Sequence, residues 1–296
     1  MHNLGKLPVV SAVRHKALSP LFSFSSETNI SYAVIKGEPL SVLAYGKPGQ
    51  RQSGDTDILV PISYVPKIKA ELSRLGFKVM NSNRQHQIAA ISSTNQSIPY
   101  RKNIGSLEVE VDINHDIFWG EYSGKRVSIE EFLSDTIEVD IYGCKIKTLS
   151  PLKAMIQLIL HHYHDFNSIY RLTGYNCIKF NMFKDIYFLW NNNKEAISRD
   201  LYLKSCEYGI IPYVYYILYY TNIIFKDTDL EKLVMSHKTS EGGELLKCYG
   251  LTAEERREWK VDFFTRLNNA DVFQFIKNDL SKVDFEKIKR GKEIFG

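Results

Sequence analysis

The stretch GKPGQRQSGDTDILV, residues 46–60, carries the pattern on which the interpretation of this chain depends. A loop rich in glycine and polar residues leads into Asp55 and Asp57, and an apolar run follows at once. Residues two positions apart on a strand point to the same side, so the two carboxylates are expected to project together. At a separation of about 5 Å they repel each other by about 3 kcal/mol at an effective dielectric constant of about 20, and a divalent cation would relieve that repulsion. The pair therefore predicts a metal site, although a solvated loop end explains it as well when it is considered alone.

A third carboxylate is available on the alternating segment LEVEVDIN, residues 107–114, which predicts a strand. The apolar residues of this segment share one face, and Glu110 and Asp112 share the other. Oxygen ligands suit Mg²⁺, and a third carboxylate on a neighbouring strand would complete a metal clamp for phosphoryl transfer. Either Glu110 or Asp112 fits this role, and the sequence does not decide between them.

Phosphate-binding features precede the aspartates. The segment IKGEPL, residues 35–40, predicts the end of a strand, a tight turn at Lys36 and Gly37, and the start of a helix. A glycine turn lets backbone N–H groups approach a phosphate, and the N-terminus of the following helix favours negative charge. Arg51 and Ser53 lie just before the aspartates and are placed to contact phosphate oxygens as well.

Composition narrows the class of protein. The chain has 296 residues, a formal net charge of +4 and a pI near 8.6, which permits an anionic partner without requiring one. The apolar run at residues 209–225 contains a proline and five tyrosines, so we expect a buried helix and no membrane partner. Four cysteines without CxxC spacing and the lack of an apolar signal segment predict a cytoplasmic protein. The nucleophile elbow, the P-loop and the dinucleotide fingerprint are absent, which argues against the enzyme classes that use them.

The order of predicted elements indicates an α+β fold. Residues 1–30 are predicted as an irregular or short helical lead-in, residues 31–148 as a mixed α/β domain, and residues 149–296 as a helical C-terminal domain. Within the middle domain, the segments predicted as strands include YAVI, TDILV, FKVM, HQIAAI, LEVEVDIN and CKIKT. The run SYVPKIKAELSRLGF predicts an amphipathic helix that ends at Gly76.

This order of motifs resembles the DNA polymerase β-like nucleotidyltransferase superfamily. It is most similar to a family of uncharacterised bacterial nucleotidyltransferases that have a Lys-Gly-x-x-Leu segment, then an arginine and an Asp-x-Asp motif. The matching stretches here are KGEPL, QRQSGDTDILV and LGF. The resemblance implies a mixed β-sheet with flanking helices, followed by a helical C-terminal domain. It also implies Mg²⁺-dependent transfer of a nucleoside monophosphate from a nucleoside triphosphate (NTP) to an acceptor hydroxyl, with release of pyrophosphate.

The resemblance also assigns residues to roles. Asp55 and Asp57 would hold the catalytic metals, and Asp112 would be the third carboxylate, activating the acceptor hydroxyl. The turn at Gly37 would seat the triphosphate. The superfamily commonly has Gly-Gly or Gly-Ser at this turn, whereas Glu38 follows Gly37 here, so a catalytically silent nucleotide-binding module is an alternative. The acceptor, which could be a small molecule, a peptide, a glycan or tRNA, and the oligomeric state are not specified by these motifs.

A second branch of the superfamily offers another alternative. The stretch RQSGDTD also resembles the Arg-x-Ser-x-Asp-x-Asp segment of abortive-infection-type toxin nucleotidyltransferases. That likeness implies a role for Lys153 in nucleotide binding and a counterpart of a later motif in FKDIYFLW, where Phe188 replaces the expected second aspartate. A protein of this kind would modify tRNA.

The stretch HHYHD, residues 161–165, contains three histidines on a predicted helix. The helical pattern places His161 and His164 opposite the apolar stripe, which is typical of a solvated face. Contact with substrate is a second interpretation. A zinc site is a third, although no matching third ligand is evident from the spacing.

Overall fold

The computed structural model describes residues 7–51, 53–118 and 126–295 as two compact units. The first unit contains the described residues up to Ile117 together with Arg126–Ala154, and the second contains Phe118 and the described residues from Met155 onward. The division in sequence after Ala154 lies inside a helix that begins at Pro151.

A mixed five-stranded sheet forms the centre of the first unit, in the order β1-β2-β5-β4-β3. Strands β2 and β5 run parallel, and the other neighbouring pairs are antiparallel. The strands are β1 Ala33–Ile35, β2 Thr56–Leu59, β3 Lys78–Val79, β4 Tyr100–Ile104 and β5 Leu107–Asn114. The predicted α+β class is confirmed, because this sheet is followed by a largely helical region.

The described residues of the first unit also form five complete α-helices and a separate hairpin. The helices are α1 Leu7–Glu27, α2 Gly37–Tyr45, α3 Val65–Arg74, α4 Arg84–Ser93 and α5 Ile129–Phe132. The hairpin consists of β6 Thr136–Ile141 and β7 Cys144–Leu149. The predicted amphipathic helix is confirmed as α3, which buries Val65, Ile68 and Leu72 and is followed by Gly76 with a φ of +85°.

Helix α1 differs from the irregular or short helical segment that the sequence predicts, because it is 21 residues long. Its local signals are weak, since it contains Pro20 and a serine-rich second half. Leu18, Leu21 and Phe22 are nevertheless buried in the same apolar cluster as the sheet. Burial of an apolar face stabilises a helix that has poor intrinsic propensity.

The segment HQIAAI is helical, so the prediction of a strand there is wrong. It lies in α4, and the side chain of Asn83 caps this helix by accepting hydrogen bonds from the backbone N–H groups of Gln85 and His86. An N-cap of this kind satisfies N–H groups that lack partners within the helix. The short apolar run IAAI fits a strand as well as a helix, and the N-cap at Asn83 favours the helix.

The second unit is built mainly from helices. The α-helices from residue 151 onward are α6 Pro151–Asn167, whose first four residues belong to the first unit, α7 Ile169–Leu172, α8 Phe180–Asn192, α9 Lys194–Glu207, α10 Ile211–Phe225, α11 Thr228–Ser236, α12 Ser240–Leu245, α13 Phe263–Leu267 and α14 Lys282–Phe295. A short pair, β8 Cys248–Tyr249 and β9 Arg257–Glu258, interrupts them. The tyrosine-rich run predicted as a buried helix is confirmed as α10, in which Tyr216 is fully buried. None of the described helices combines the length and apolar character that crossing a membrane requires.

Candidate active site

The pairing of β2 with β5 brings predicted site residues together. Asp57 lies directly opposite Asp112 in the parallel register of these strands, and Asp55 stands just before β2. Neighbouring strands are about 4.8 Å apart, so paired side chains on the same face are close neighbours. Asp57 and Asp112 are buried and Asp55 is half-buried. The sheet therefore concentrates negative charge at the start of β2.

Lys36 supplies a positive charge at this cluster. Its Nζ lies 2.9 Å from Asp57 Oδ1, and Asn114 Nδ2 donates a hydrogen bond to the same oxygen over 3.2 Å. Burial alone lowers the pKa of Lys36, but the attraction of Asp57 and Asp55 outweighs it, so that this pKa lies above its usual value. Burial raises the pKa of Asp57 despite the attraction of Lys36.

The turn before α2 places Lys36 beside the carboxylates. Lys36 and Gly37 adopt positive φ values of 57° and 47° in succession, which redirects the chain from β1 into α2. A non-glycine residue in such a conformation costs of the order of 1–3 kcal/mol, and persists where surrounding contacts hold it. The ion pair with Asp57 is one such contact.

One carboxylate oxygen of Asp112 has no hydrogen-bond partner among the described residues. Its Oδ1 is buried and accepts no hydrogen bond from the described residues. Burial, together with the repulsion of Asp57 and Asp55, raises the pKa of Asp112 to about 8. A buried acceptor without a donor is costly unless a ligand or ion satisfies it. This is the property expected of a metal-binding carboxylate.

Glu110, the other candidate for the third carboxylate, has a different environment. Its Oε2 accepts a hydrogen bond from Arg101 Nε, and Arg101 also pairs with Glu108. Its negative charge is therefore already compensated on the strand pair β4–β5. Geometry favours Asp112, which faces Asp57 across the strand pair.

The loop before β2 packs against the start of α2. Ser53 Oγ donates a hydrogen bond to the backbone carbonyl of Asp55 over 2.9 Å. A Cβ at Gly37 would lie in ordinary contact with this Oγ, at 3.4 Å, so it is the positive φ of 47° that favours glycine at this position. Arg51 is half-buried in the same loop. Gly37, Ser53 and Asp55 are thus neighbours in this part of the first unit.

Glu38 faces the loop backbone. The side chain is buried, and Oε2 accepts a hydrogen bond from the backbone N–H of Gly49 over 2.6 Å. Ser41, one turn further along α2, donates to the carbonyl of Lys47 and accepts from the N–H of Gln50. The acid that interrupts the expected phosphate turn therefore anchors the loop that carries Arg51 and Ser53.

Sequence reasoning missed two polar residues of this region. Arg14 on α1 is buried, and its Nη1 donates to the backbone carbonyl of Ser53 over 3.0 Å. Burial lowers the pKa of Arg14 although Asp55 and Glu38 oppose the change. Asn114 could have been found from its position two residues after Asp112 on the same strand face. The only signal for Arg14 was a charge within a largely apolar segment.

Lys153 is placed by contacts with α5. Its Nζ lies 3.1 Å from Glu131 Oε1 and 4.7 Å from the ring centroid of Phe132. The side chain is almost fully buried. An ion pair and a cation–π contact thus fix this predicted nucleotide-binding residue within the first unit.

Comparison with known proteins gives a family match over most of the chain. The model of a family described as uncharacterised nucleotidyltransferase matches residues 14–226. No curated protein sequence matches the chain at a significant level.

Comparison of structures gives weak similarities. The antibiotic-resistance factor ANT(2'')-Ia is 15% identical, with a TM-score of 0.37, over 66% of this chain and 87% of that one. An antigenic nucleotidyltransferase-like protein from Paracoccidioides brasiliensis is also 15% identical, with a TM-score of 0.38, over 75% of this chain and 92% of its own. At these values neither similarity bears on substrate or mechanism.

Proposed function

Because this chain belongs to the uncharacterised nucleotidyltransferase family, we propose that it transfers a nucleoside monophosphate from an NTP to an acceptor hydroxyl. The observation that supports this most directly is the position of Asp57 opposite Asp112, with Asp55 immediately before β2. We also propose that residues 31–148, with α1 packed on them, form the catalytic domain.

The aspartate cluster has the chemistry of a site for Mg²⁺. Three carboxylates stand against one lysine, and the buried Oδ1 of Asp112 has no hydrogen-bond donor among the described residues. Within those residues, the donor atoms of Asp55, Asp57 and Asp112 are not gathered within 4.8 Å of one another. We propose that these three side chains close on the ion when it binds. When bound, Mg²⁺ would neutralise charge on the triphosphate and on the departing pyrophosphate.

Residues of the chain provide the general base and position the metal ligands. Asp112 accepts the proton of the acceptor hydroxyl, and the acceptor oxygen forms a bond to the α-phosphorus. The bond between the α-phosphorus and the bridging oxygen breaks, and its electron pair leaves with pyrophosphate. Lys36 keeps Asp57 in place. A positioned general base contributes roughly 10²–10⁴-fold to the rate of such a step.

We assign triphosphate binding to the turn at Lys36 and Gly37, the N-terminus of α2, and the loop residues Arg51 and Ser53. Helix N-termini and glycine turns present N–H groups to phosphate oxygens. The hydrogen bond from Gly49 to Glu38 supports this assignment, because it engages the carboxylate with the loop backbone. The silent-module alternative rests on that acid and on the ambiguity of the third carboxylate, and this contact weakens the first of these two reasons.

Label transfer from α-labelled NTPs tests the proposal. Purified protein is incubated with each of the four NTPs, Mg²⁺ and either a cell extract or isolated tRNA. Labelled product should form with the unaltered chain and disappear in the Asp55→Ala, Asp57→Ala double variant. Equal transfer by the double variant would overturn the proposal. Label on tRNA alone would favour the toxin-type alternative. NTP binding without transfer to extract or tRNA would favour a silent module.

A further inference from the structure

A second cluster of possible metal ligands lies on α6. It consists of His161, His162 and Asp165, whose donor atoms all lie within 4.8 Å of one another. Asp165 follows His161 by four residues and His162 by three, the two spacings at which helical side chains are neighbours. Within the described parts of the chain, this is the only set of three histidine, cysteine or carboxylate residues that meets this distance.

The two carboxylate oxygens of Asp165 have different neighbours. Oδ1 accepts a hydrogen bond from Arg171 Nε over 2.9 Å and lies 3.5 Å from His164 Nδ1. Oδ2 lies on the other side, 3.3 Å from His161 Nε2. Carboxylates that bind metals are commonly oriented by hydrogen bonds to neighbouring residues. Arg171 provides that orientation here, and it leaves Oδ2 beside the imidazole groups.

We propose that His161, His162 and Asp165 form a binding site for a divalent transition-metal ion of the Zn²⁺ class. Two imidazoles and one carboxylate are a donor set typical of Zn²⁺ and of Co²⁺, its spectroscopic substitute. With three protein ligands, one position of a tetrahedral ion stays open. The sequence spacing paired His161 with His164 and offered no third ligand. The structure instead gathers His162 and Asp165 with His161, and His164 is buried rather than on a solvated face.

This site differs in chemistry from the aspartate cluster. Asp55, Asp57 and Asp112 offer only oxygen donors, which suit Mg²⁺. Imidazole nitrogens favour ions later in the first transition series, and Mg²⁺ competes poorly for them. The two sites can therefore be distinguished by the choice of ion, without altering either one.

A purely structural ion-pair cluster is the competing explanation. Asp165 contacts Arg171, His161 and His164, and such a network needs no metal. In that case a divalent ion would bind no more tightly than it binds to isolated histidines elsewhere. His86 on α4 provides that comparison, because it is half-buried and paired with Asn81.

The test uses the whole chain in excess Mg²⁺, which is expected to occupy the oxygen-only cluster. Co²⁺ is titrated while visible absorption is recorded, and Zn²⁺ then displaces it. We expect one equivalent of Co²⁺ with the intense bands of a four-coordinate, nitrogen-containing site. His161→Gln should weaken its affinity at least about tenfold. His86→Gln should leave the affinity unchanged.

Two results would overturn the proposal. One is that the unaltered protein shows no absorption bands of four-coordinate Co²⁺. This measurement does not depend on the folding of any variant. The other is equal affinity of the unaltered protein and a folded His161→Gln variant, with folding checked by circular dichroism without metal. His161 is only partly buried, so its substitution is tolerable. If that variant fails to fold, the affinity of His162→Gln is compared with that of the unaltered protein instead. The presence or absence of four-coordinate Co²⁺ bands in the unaltered protein tests the proposal in either case.

Discussion

The ammonium group of Lys36 lies 2.9 Å from the carboxylate of Asp57, and the two residues join the turn before α2 to the strand that carries the aspartates. Both side chains are largely buried. The same contact therefore fixes the proposed phosphate turn and compensates part of the charge of the proposed metal cluster.

Replacing Lys36 by methionine should destabilise the fold. The change leaves Asp57 buried without its cation, and breaking a buried ion pair costs about 3–5 kcal/mol. Chemical denaturation should show that loss. The Lys36→Met, Asp57→Asn double variant should recover part of it, since it removes the uncompensated charge. Lys67, which lies over the ring of Tyr64 on the surface, is the matched control, and Lys67→Met should change stability by no more than about 0.5 kcal/mol. Equal losses in Lys36→Met and Lys67→Met would contradict the assigned role.

Asp112 and Glu110 should differ sharply in their effect on nucleotidyl transfer. Asp112→Asn removes the proposed base and metal ligand, and should lower kcat by at least about 100-fold. Glu110→Gln should change kcat no more than severalfold, because Glu110 pairs with Arg101. Initial rates with α-labelled NTP measure both. A larger loss for Glu110→Gln than for Asp112→Asn would reverse the assignment of the third carboxylate.

Glu38→Ala should loosen the loop of residues 46–53. The backbone N–H of Gly49 loses its acceptor, and leaving such a donor unsatisfied costs about 1–3 kcal/mol. Limited trypsin digestion should then cleave after Arg51 faster than in the unaltered protein, because cleavage follows the population of the opened loop. Glu108→Ala, which alters an exposed acid on β5, is the control. An unchanged cleavage rate in Glu38→Ala would show that the contact does not hold the loop.

The strands of the site could be predicted because their patterns are local. LEVEVDIN alternates strictly, and it forms β5 with the predicted bounds. Its last four residues are all buried, however, so the polar face that carries Asp112 and Asn114 is enclosed. That enclosure, and with it the raised pKa of Asp112, depends on residues distant in sequence.

Other features could not be predicted because tertiary contacts decide them. Arg14 reaches Ser53 across 39 positions of sequence, which no local pattern encodes. From the sequence, Glu38 is expected to repel phosphate, because no local pattern shows that its carboxylate accepts a hydrogen bond from the backbone N–H of Gly49. Helix α1 has poor intrinsic signals and is stabilised by burial of its apolar side chains.

The buried histidine of α1 should make folding stability depend on pH. Burial, with a smaller effect of Arg14, lowers the pKa of His15 to about 4, and burial likewise lowers the pKa of His115 to about 4. In the unfolded chain a histidine has a pKa of about 6.5. Between about pH 4 and 6.5 the unfolded chain therefore binds more protons at these two histidines, so their contribution to stability rises with pH across that window. The raised pKa values of Asp57 and Asp112 contribute in the opposite direction, so the histidine contribution is read from the difference between variants. Each histidine should contribute up to about 3 kcal/mol of this change.

Urea denaturation at pH 7 and at several values down to pH 4.5 measures this dependence. The part of the free energy of unfolding that the two histidines contribute should fall as the pH is lowered, since they bind protons in the unfolded chain and stay neutral in the folded one. Residue 15 cannot titrate in His15→Gln, so between pH 7 and pH 4.5 this variant should lose less stability than the unaltered protein. His86→Gln, at a half-buried position, should keep the original slope. A His15→Gln protein with the full pH dependence would show that His15 does not stay neutral within the folded first unit.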